Sequence, residues 1–295
     1  MKISQILLTT DFSDHARTAY GCAADLASKL NARLHLVHFV GAIPFASAIP
    51  RFADTTEREP LFDSLENALA EEASEHSAFG GIDIQPRLQR HRWTRSRQRL
   101  LERELDIDLI VMSPQGRTGL SKMLLGSFAD RVVRHSLVPV LLFRPTESTE
   151  TLDPRTILVP HDFYDRPQTI LPAMRWLAGR FNCKFRFLHV YDPSWANSQS
   201  VRGIGQQFAQ ALKSTSSLSI EERFTKLVDE DLQGLDVTLE TAHGIPSQQV
   251  VHRANQVSVD LVLLGKREGL GSVARSVTRE AKCSVLTVPV IDAEE

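Results

Sequence analysis

Apolar residues along the first half of the chain form short unbroken runs that alternate with longer stretches of helical spacing. Short apolar runs predict buried strands, and apolar residues three or four positions apart predict one face of a helix. The predicted strands are 6–10, 33–40, 82–88, 109–112 and 138–143. The predicted helices are 16–30, 61–77, 96–104 and 128–135. Strands that alternate with helices predict a parallel sheet covered by helices on both faces.

The second half repeats the same order of elements. Its predicted strands are 157–159, 185–190, 237–240, 261–264 and 285–288. Its predicted helices are one that ends at residue 180 and three that lie near 205–232, 246–255 and 273–281.

A duplication explains this repetition, because identical residues recur at a constant offset of 151 positions. The identical pairs are Ile6/Ile157, Leu7/Leu158, Asp11/Asp162, Phe12/Phe163, Asp14/Asp165, Thr18/Thr169, Leu26/Leu177, Ala27/Ala178, Asn31/Asn182 and His38/His189. A repeat of about 150 residues has the size of one domain. The pattern therefore predicts two homologous domains, residues 1–147 and 154–295, joined by a short polar linker.

Composition adds few constraints to this picture. The chain is 42% hydrophobic and 24% charged, with a formal net charge of −2, which is typical of a globular protein with two cores. Residues 1–5 lead directly into a strand-like run, and no stretch approaches the roughly 18 apolar residues of a membrane span. We therefore expect a cytoplasmic protein that binds neither membrane nor nucleic acid.

A glycine-containing stretch follows the fourth predicted strand. It reads Ser113-Pro114-Gln115-Gly116, then nine residues, then Gly126-Ser127 at the start of a helix. Glycine lets backbone N–H groups approach an anion, and a helix N-terminus offers unpaired donors at the positive end of its dipole. The spacing is typical of a phosphate site at the carboxyl end of a parallel strand. The alternative is a simple turn in which Ser127 is the helix N-cap.

These residues and their surroundings resemble the universal stress protein family. With its repeat in the second half, the resemblance covers nearly the whole chain. The segments that carry it are 6–12, 36–38, 108–120, 124–135 and 138–141. Nucleotide-binding members of that family carry an aspartate after the first strand and G-x-x-G, nine residues, then G-[ST]. Asp11, Gly116, Gly126 and Ser127 match this pattern, whereas Ser113 stands where the first glycine is expected.

The resemblance implies two tandem Rossmann-like or flavodoxin-like α/β domains, each with a five-stranded parallel sheet, packed as a pseudo-two-fold dimer within one chain. It implies ATP as the ligand, with ADP and AMP as alternatives and magnesium accompanying ATP. Asp11 would contact the adenosine end, the backbone near Phe39 would line the adenine pocket, and the glycines would hold ribose and phosphates. A helix cap is the alternative role for Asp11. The expected contact residues are Thr10, Asp11, Phe39, Ser113, Gly116, Arg117, Gly126, Ser127 and Phe128.

The second half departs further from the family pattern. Leu264-Gly265 and Gly271-Ser272 align with Met112-Ser113 and Gly126-Ser127, but the loop between them is seven residues shorter. Either this half is a degenerate partner, or Lys266 and Arg267 bind a smaller anion. The second-domain candidates are Asp162, Gly265, Gly271 and Ser272.

Other chemistry is sparse in the sequence. Basic residues cluster between Arg87 and Arg99, but acidic residues follow directly, which favours a solvated, paired surface over a nucleic-acid patch. Motifs for P-loop, zinc-protease or serine-hydrolase chemistry are absent from the sequence, so we expect no catalytic residues. Nucleotide binding in a stress or signalling protein is the favoured function, and a weak ATPase or an apolar-ligand scaffold are the alternatives. The protein partner and any further homodimer stay open.

Overall fold

The computed structural model describes residues 1–40, 59–91, 93–116, 125–146, 150–163, 167–192, 219–267 and 269–289. The chain divides into two compact units, Lys2–Leu152 and Asp153–Glu295. Within the described residues, no helix combines the length and the hydrophobicity that crossing a membrane requires.

The described residues of the first unit include a parallel sheet of five strands. The strands are β1 (Gln5–Thr10), β2 (Arg33–Phe39), β3 (Ile84–Gln89), β4 (Leu109–Met112) and β5 (Val140–Leu142). Their order is β3-β2-β1-β4-β5, and each described pair is parallel. The helices are α1 (Asp14–Arg17), α2 (Tyr20–Leu30), α3 (Glu59–Glu75), α4 (Arg95–Glu104) and α5 (Ser127–His135). A 3₁₀ turn spans Ser77–Phe79.

The second unit repeats this order. Its strands are β6 (Thr156–Pro160), β7 (Lys184–Tyr191), β8 (Val237–His243), β9 (Leu261–Lys266) and β10 (Ser284–Pro289). They are arranged β10-β9-β6-β7-β8, again in parallel. The helices are α6 (Leu171–Ala178), α7 (Ile220–Glu230), α8 (Pro246–Ala254) and α9 (Ser272–Glu280), with a 3₁₀ turn at Pro167–Thr169. The predicted α/β fold with two tandem parallel sheets is confirmed.

The core of the first unit explains where a ligand can bind. β1 and β4 are neighbouring central strands. Ile6 pairs with Leu109 and Leu8 with Val111, and all four side chains are buried. The chain runs from β1 to β2 and β3 on one side and returns to β4 and β5 on the other. Outside the carboxyl ends of β1 and β4, the two connections therefore diverge and leave a crevice, which is where open parallel sheets bind ligands.

The prediction of one continuous helix over 16–30 was wrong, because the structure has two helices there, α1 and α2. Thr18 N–H donates to the carbonyl of His15 and Ala19 N–H to that of Ala16, at 3.3 and 3.2 Å. These i to i−3 hydrogen bonds tighten the chain between α1 and α2. The Thr18 hydroxyl also donates to the His15 carbonyl, at 2.7 Å, which competes with regular helical bonding. A short helix and a longer one result.

Candidate functional site

The turn after β1 has a conformation that is unusual for a bulky residue. Phe12 has φ of +63°, in the left-handed region that side chains other than those of Gly, Asn and Asp rarely adopt. Its N–H donates to Thr10 Oγ1 at 3.0 Å. The hydroxyl of Thr10, which is buried, thus holds the backbone in this shape.

Asp11 lies inside this turn. Its Oδ1 accepts hydrogen bonds from the N–H and the hydroxyl of Ser13, at 3.1 and 2.5 Å. Ser13 Oγ in turn accepts from Ala16 N–H at 3.2 Å and is the N-cap of α1. The helix-cap interpretation of Asp11 is therefore wrong, because Ser13 fills that position and Asp11 orients Ser13.

The second carboxylate oxygen of Asp11 lies against Gly116. A Cβ atom placed on Gly116 would lie only 2.7 Å from Asp11 Oδ2. Gly126 is close by. Its N–H donates to the Pro114 carbonyl at 2.7 Å, and a Cβ atom placed on Gly126 would lie 3.8 Å from Gly116 N. Three residues far apart in sequence, Asp11, Gly116 and Gly126, therefore meet at one point beyond the ends of β1 and β4.

The start of α5 offers donors at this point. Gly126 is the N-cap, with φ −63° and ψ 149°, and Ser127 is the first helical residue, so the alternative in which Ser127 is the N-cap is wrong. A glycine N-cap has no side chain to accept from the first-turn N–H groups. The acidic residue of this turn, Asp130, pairs with Arg134 at 2.8 Å. The helix end therefore keeps its positive character.

Ser113 fits its position without strain. It is buried, its φ is not positive, and its Oγ accepts from Gln115 N–H at 3.3 Å, which shapes the turn. A serine therefore serves where the family pattern has glycine. Arg117 and the following residues to 124 lie outside the described residues.

An apolar wall stands beside these polar groups. Phe39, at the end of β2, and Phe128, in the first turn of α5, have ring centroids 5.4 Å apart, and both rings are half-buried. Phe12 packs on His38 at 4.8 Å. The His38 Nδ1–H donates to the Thr10 carbonyl at 2.8 Å, so this histidine supports the turn.

The second unit repeats the turn with a different support. Phe163 has φ of +61°, and its N–H donates to His161 Nδ1 at 2.9 Å. His189 Nδ1–H donates to the His161 carbonyl at 3.2 Å, which reproduces the contact made by His38. Asp162 occupies the place of Asp11 and is exposed.

The rest of this region differs from the first unit. β9 continues through Gly265 and Lys266, which pair with Val288 and Pro289 of β10. The predicted end of this strand at Leu264 was therefore wrong, and Gly265 lies in a strand rather than in a loop.

Gly271 and Ser272 open α9 as Gly126 and Ser127 open α5. Gly271 is the N-cap, without a side-chain cap, and no atom of the described residues lies within 4 Å of the place a Cβ atom would take. At the offset of 152 residues that pairs Ser113 with Gly265, the residue at the position of Gly116 is Glu268. The second unit therefore has the glycine N-cap of the first-unit site but lacks a glycine at the position of Gly116.

Three phenylalanine rings pack over the ends of β6 and β7. Phe224 of α7 lies 6.0 Å from the ring of Phe163 and 5.7 Å from that of Phe187, and the latter two are 5.9 Å apart. These side chains fill part of the space beside the duplicated turn.

Comparison with known proteins gives the family. The model described as the Universal stress protein family matches residues 2–144 and 154–289. The chain belongs to the universal stress protein family. A putative universal stress protein of Staphylococcus haemolyticus is 27% identical over 149 residues, covering 50% of this chain and 89% of that protein. One of Staphylococcus saprophyticus is 28% identical over 151 residues, covering 51% and 89%.

Solved structures agree on the fold of this universal stress protein. The crystal structure of a universal stress protein from Archaeoglobus fulgidus covers 98% of this chain and 99% of its own, with a TM-score of 0.66 and 15% identity. A putative universal stress protein from Pseudomonas aeruginosa covers 97% and 93%, with a TM-score of 0.56 and 13% identity.

The arginine cluster of this universal stress protein is engaged in contacts within the fold. Arg90 pairs with Glu59 and Glu66 at 2.9 and 3.0 Å. Arg87 Nε donates to His35 Nδ1 at 3.2 Å. These contacts support the interpretation of a paired surface, although the acidic partners of Arg90 belong to α3 and not to the acidic residues that follow the cluster in sequence.

Sequence reasoning missed one residue beside the site. Tyr20 belongs to the apolar face of the predicted helix, and the pattern gave it no role beyond packing. Its hydroxyl donates to Thr10 Oγ1 at 2.5 Å. A tyrosine, rather than an aliphatic residue, at a fully buried helix position was the available signal, because a buried hydroxyl requires a partner.

Proposed function

We propose that the first domain binds an adenine nucleotide, with ATP as the preferred ligand, and that this protein acts in a cytoplasmic stress or signalling response. One observation carries the proposal: Asp11, Gly116 and the Gly126 end of α5 converge at the crevice beyond β1 and β4. An anion site next to a carboxylate is suited to a ligand that has both phosphate and hydroxyl groups.

The charges of the protein groups indicate which part of the nucleotide each group would contact. The N–H groups at the start of α5, with Gly126 and Ser127, attract phosphate oxygens. Asp11 carries negative charge and would repel phosphate, so its carboxylate accepts hydrogen bonds from the ribose hydroxyls. Phe39 and Phe128 provide the flat apolar surface that a base requires.

Magnesium would enter together with the triphosphate. Among the described residues, no group of three or more His, Cys, Asp or Glu side chains could hold a metal ion. Magnesium in nucleotide sites is commonly held by phosphate oxygens, waters and one or two protein ligands. The donor set near Asp11 therefore fits a metal that the ligand carries and does not fit a cage formed by the protein.

Binding resides mainly in the first domain. The second domain keeps Asp162, Gly271 and Ser272 but has Glu268, not a glycine, at the position of Gly116. Its Gly265 is a strand residue, and the positions of Phe39 and Phe128 are taken by Val190 and Val273. The aromatic pair and the glycine at the position of Gly116 are thus missing from the second domain.

The test is to denature freshly purified protein, identify the released nucleotides by mass spectrometry, and titrate stripped protein with ATP, ADP and AMP. The site variant is Gly126→Asp. Aspartate is a favourable N-cap residue, so α5 is expected to stay folded while the added charge repels phosphate, giving at least a tenfold loss of ATP affinity.

The matched control is Gly126→Ala. The alanine Cβ would lie 3.4 Å from the Pro114 carbonyl oxygen, an ordinary contact, and the backbone angles suit any residue. We expect its ATP affinity to stay within about threefold of the wild type. Unchanged affinity in Gly126→Asp would overturn the site, and a protein that neither carries nor binds nucleotide would favour the scaffold alternative. ATP turnover above that of Gly126→Asp would favour the ATPase.

A further inference from the structure

Tyr20 is a fully buried tyrosine in the first turn of α2, directly behind the β1 turn. Its ring packs against those of His76 and Phe79, each with a centroid 4.9 Å away. Its hydroxyl reaches Thr10 Oγ1 at 2.5 Å. Burial raises the pKa of Tyr20, so the hydroxyl stays protonated at neutral pH and can donate this hydrogen bond.

The Thr10 hydroxyl connects Tyr20 to the strained residue of the turn. It accepts from Tyr20 and also from Phe12 N–H, which is 3.0 Å away. A phenylalanine with φ of +63° persists only where its surroundings hold it. Asp11 lies between Thr10 and Phe12, so any rotation of the Phe12 amide moves the Asp11 carboxylate relative to Gly116.

We propose that Tyr20 is a positioning residue for the nucleotide site: its hydroxyl fixes Thr10, Thr10 fixes the Phe12 amide, and the fixed turn directs Asp11 toward the ribose. This inference rests on the proposed function of the first domain. It adds a residue outside the glycine pattern, one that acts on the ligand only through Asp11.

The second domain provides an internal comparison. Leu171 stands at the position of Tyr20 and His161 at that of Thr10. The imidazole of His161 accepts the Phe163 N–H directly, and Phe163 still has φ of +61°. The fold thus forms this turn without a tyrosine, and removing one hydroxyl from Tyr20 is not expected to prevent folding.

An ion pair between α1 and α3 acts electrostatically on Tyr20. Arg17 binds both carboxylate oxygens of Glu72, at 2.7 and 2.9 Å. The hydrogen bond from Arg17 is the main cause that lowers the pKa of Glu72. Glu72 is therefore ionised at neutral pH.

The test is Tyr20→Phe, which keeps the ring and removes only the hydroxyl. We expect ATP affinity to fall about fivefold with unchanged stoichiometry, the effect of losing one hydrogen bond that acts on the site. In ligand-free protein, amide hydrogen exchange over residues 10–13 should accelerate, whichever nucleotide the protein binds. Leu101→Val, in the buried face of α4 and away from the turn, is the destabilised control and should change neither quantity.

A double-mutant cycle with Asp11→Asn separates positioning from general loosening. If Tyr20 acts through Asp11, Tyr20→Phe has little further effect on affinity once Asp11 is asparagine. The inference is overturned if Tyr20→Phe binds ATP as tightly as wild type, or if the fivefold loss persists in the Asp11→Asn background. A wild-type protein that binds no ATP overturns the proposed function and this inference with it, whereas wild-type binding with no Tyr20 effect overturns the inference alone.

Discussion

Gly116 illustrates how one glycine serves a neighbouring side chain. The sequence pattern indicates that glycine is needed there so that backbone can approach phosphate. The structure adds a second reason, because the space of a side chain at this position is taken by Asp11 Oδ2. The backbone angles at Gly116 are not left-handed, so conformational freedom is not the constraint.

Gly116→Ala is therefore expected to fold and to bind poorly. The new methyl group displaces the end of a flexible carboxylate, which costs little stability, but it moves Asp11 away from its place in the site. We expect ATP affinity to fall about tenfold and the melting temperature to change by no more than a few degrees. Calorimetric titration and thermal unfolding measure the two effects. A loss of stability without a loss of affinity would contradict the assigned role of Asp11.

The candidate site was predictable in part from single residues. Asp11, Gly116 and Gly126 could be found because a motif fixes their spacing and the parallel sheet brings its carboxyl ends together. Tyr20 could not, because helical periodicity treats every buried aromatic residue as core and carries no information about where a hydroxyl points. The N-cap position of Gly126 also depends on backbone angles that the Gly-Ser pair does not determine.

The pairing of β2 with β3 buries a histidine beside an arginine. His35 Nδ1 accepts from Arg87 Nε at 3.2 Å, so its proton is on Nε2, which donates to Gln5 Oε1 at 2.8 Å. Burial is the main cause that lowers the pKa of His35 to about 4, and the charges of Arg87 and Arg33 add to it while Asp83 opposes it.

This strand pair should make the first unit sensitive to acid. The pKa of His35 in the folded state is below its unfolded value of about 6.5, so the unfolded chain takes up the proton first. The contribution to stability is present above about pH 6.5 and is lost as the pH falls toward 4. Between pH 7 and pH 5 we expect a loss of about 2 kcal/mol.

Chemical denaturation of wild type and His35→Gln across this pH range measures the effect. Glutamine does not titrate, so the difference between the two proteins isolates His35 from the other groups. A difference in unfolding free energy that does not vary with pH would contradict the assignment of a neutral, buried imidazole.

Some boundaries of helices and strands could not be predicted from the pattern of apolar residues. The parallel sheets and the longer helices and strands follow from alternating apolar runs and helical stretches, whereas the strand order does not. The break between α1 and α2 depends on local hydrogen bonds of Thr18, which periodicity cannot register. The extension of β9 through Lys266 depends on its pairing with β10, a contact that is distant in sequence.

At the scale of the whole molecule, duplication produced two sheets of the same order and two different ligand regions. Both units keep the left-handed phenylalanine, the histidine that supports the turn and the glycine N-cap. Among the described residues, only the first unit combines a glycine at the position of Gly116 with the aromatic pair of Phe39 and Phe128. The account therefore predicts one nucleotide for each chain.

The most direct test is the number of ATP molecules bound per chain, measured by calorimetric titration of the stripped full-length protein. The same measurement on Gly126→Asp and Gly271→Asp places a negative charge at the equivalent helix N-cap of either domain. We predict one ATP per wild-type chain, one in Gly271→Asp with unchanged affinity, and none in Gly126→Asp. Two ATP molecules per chain, or loss of binding in Gly271→Asp but not in Gly126→Asp, would contradict a single site in the first domain.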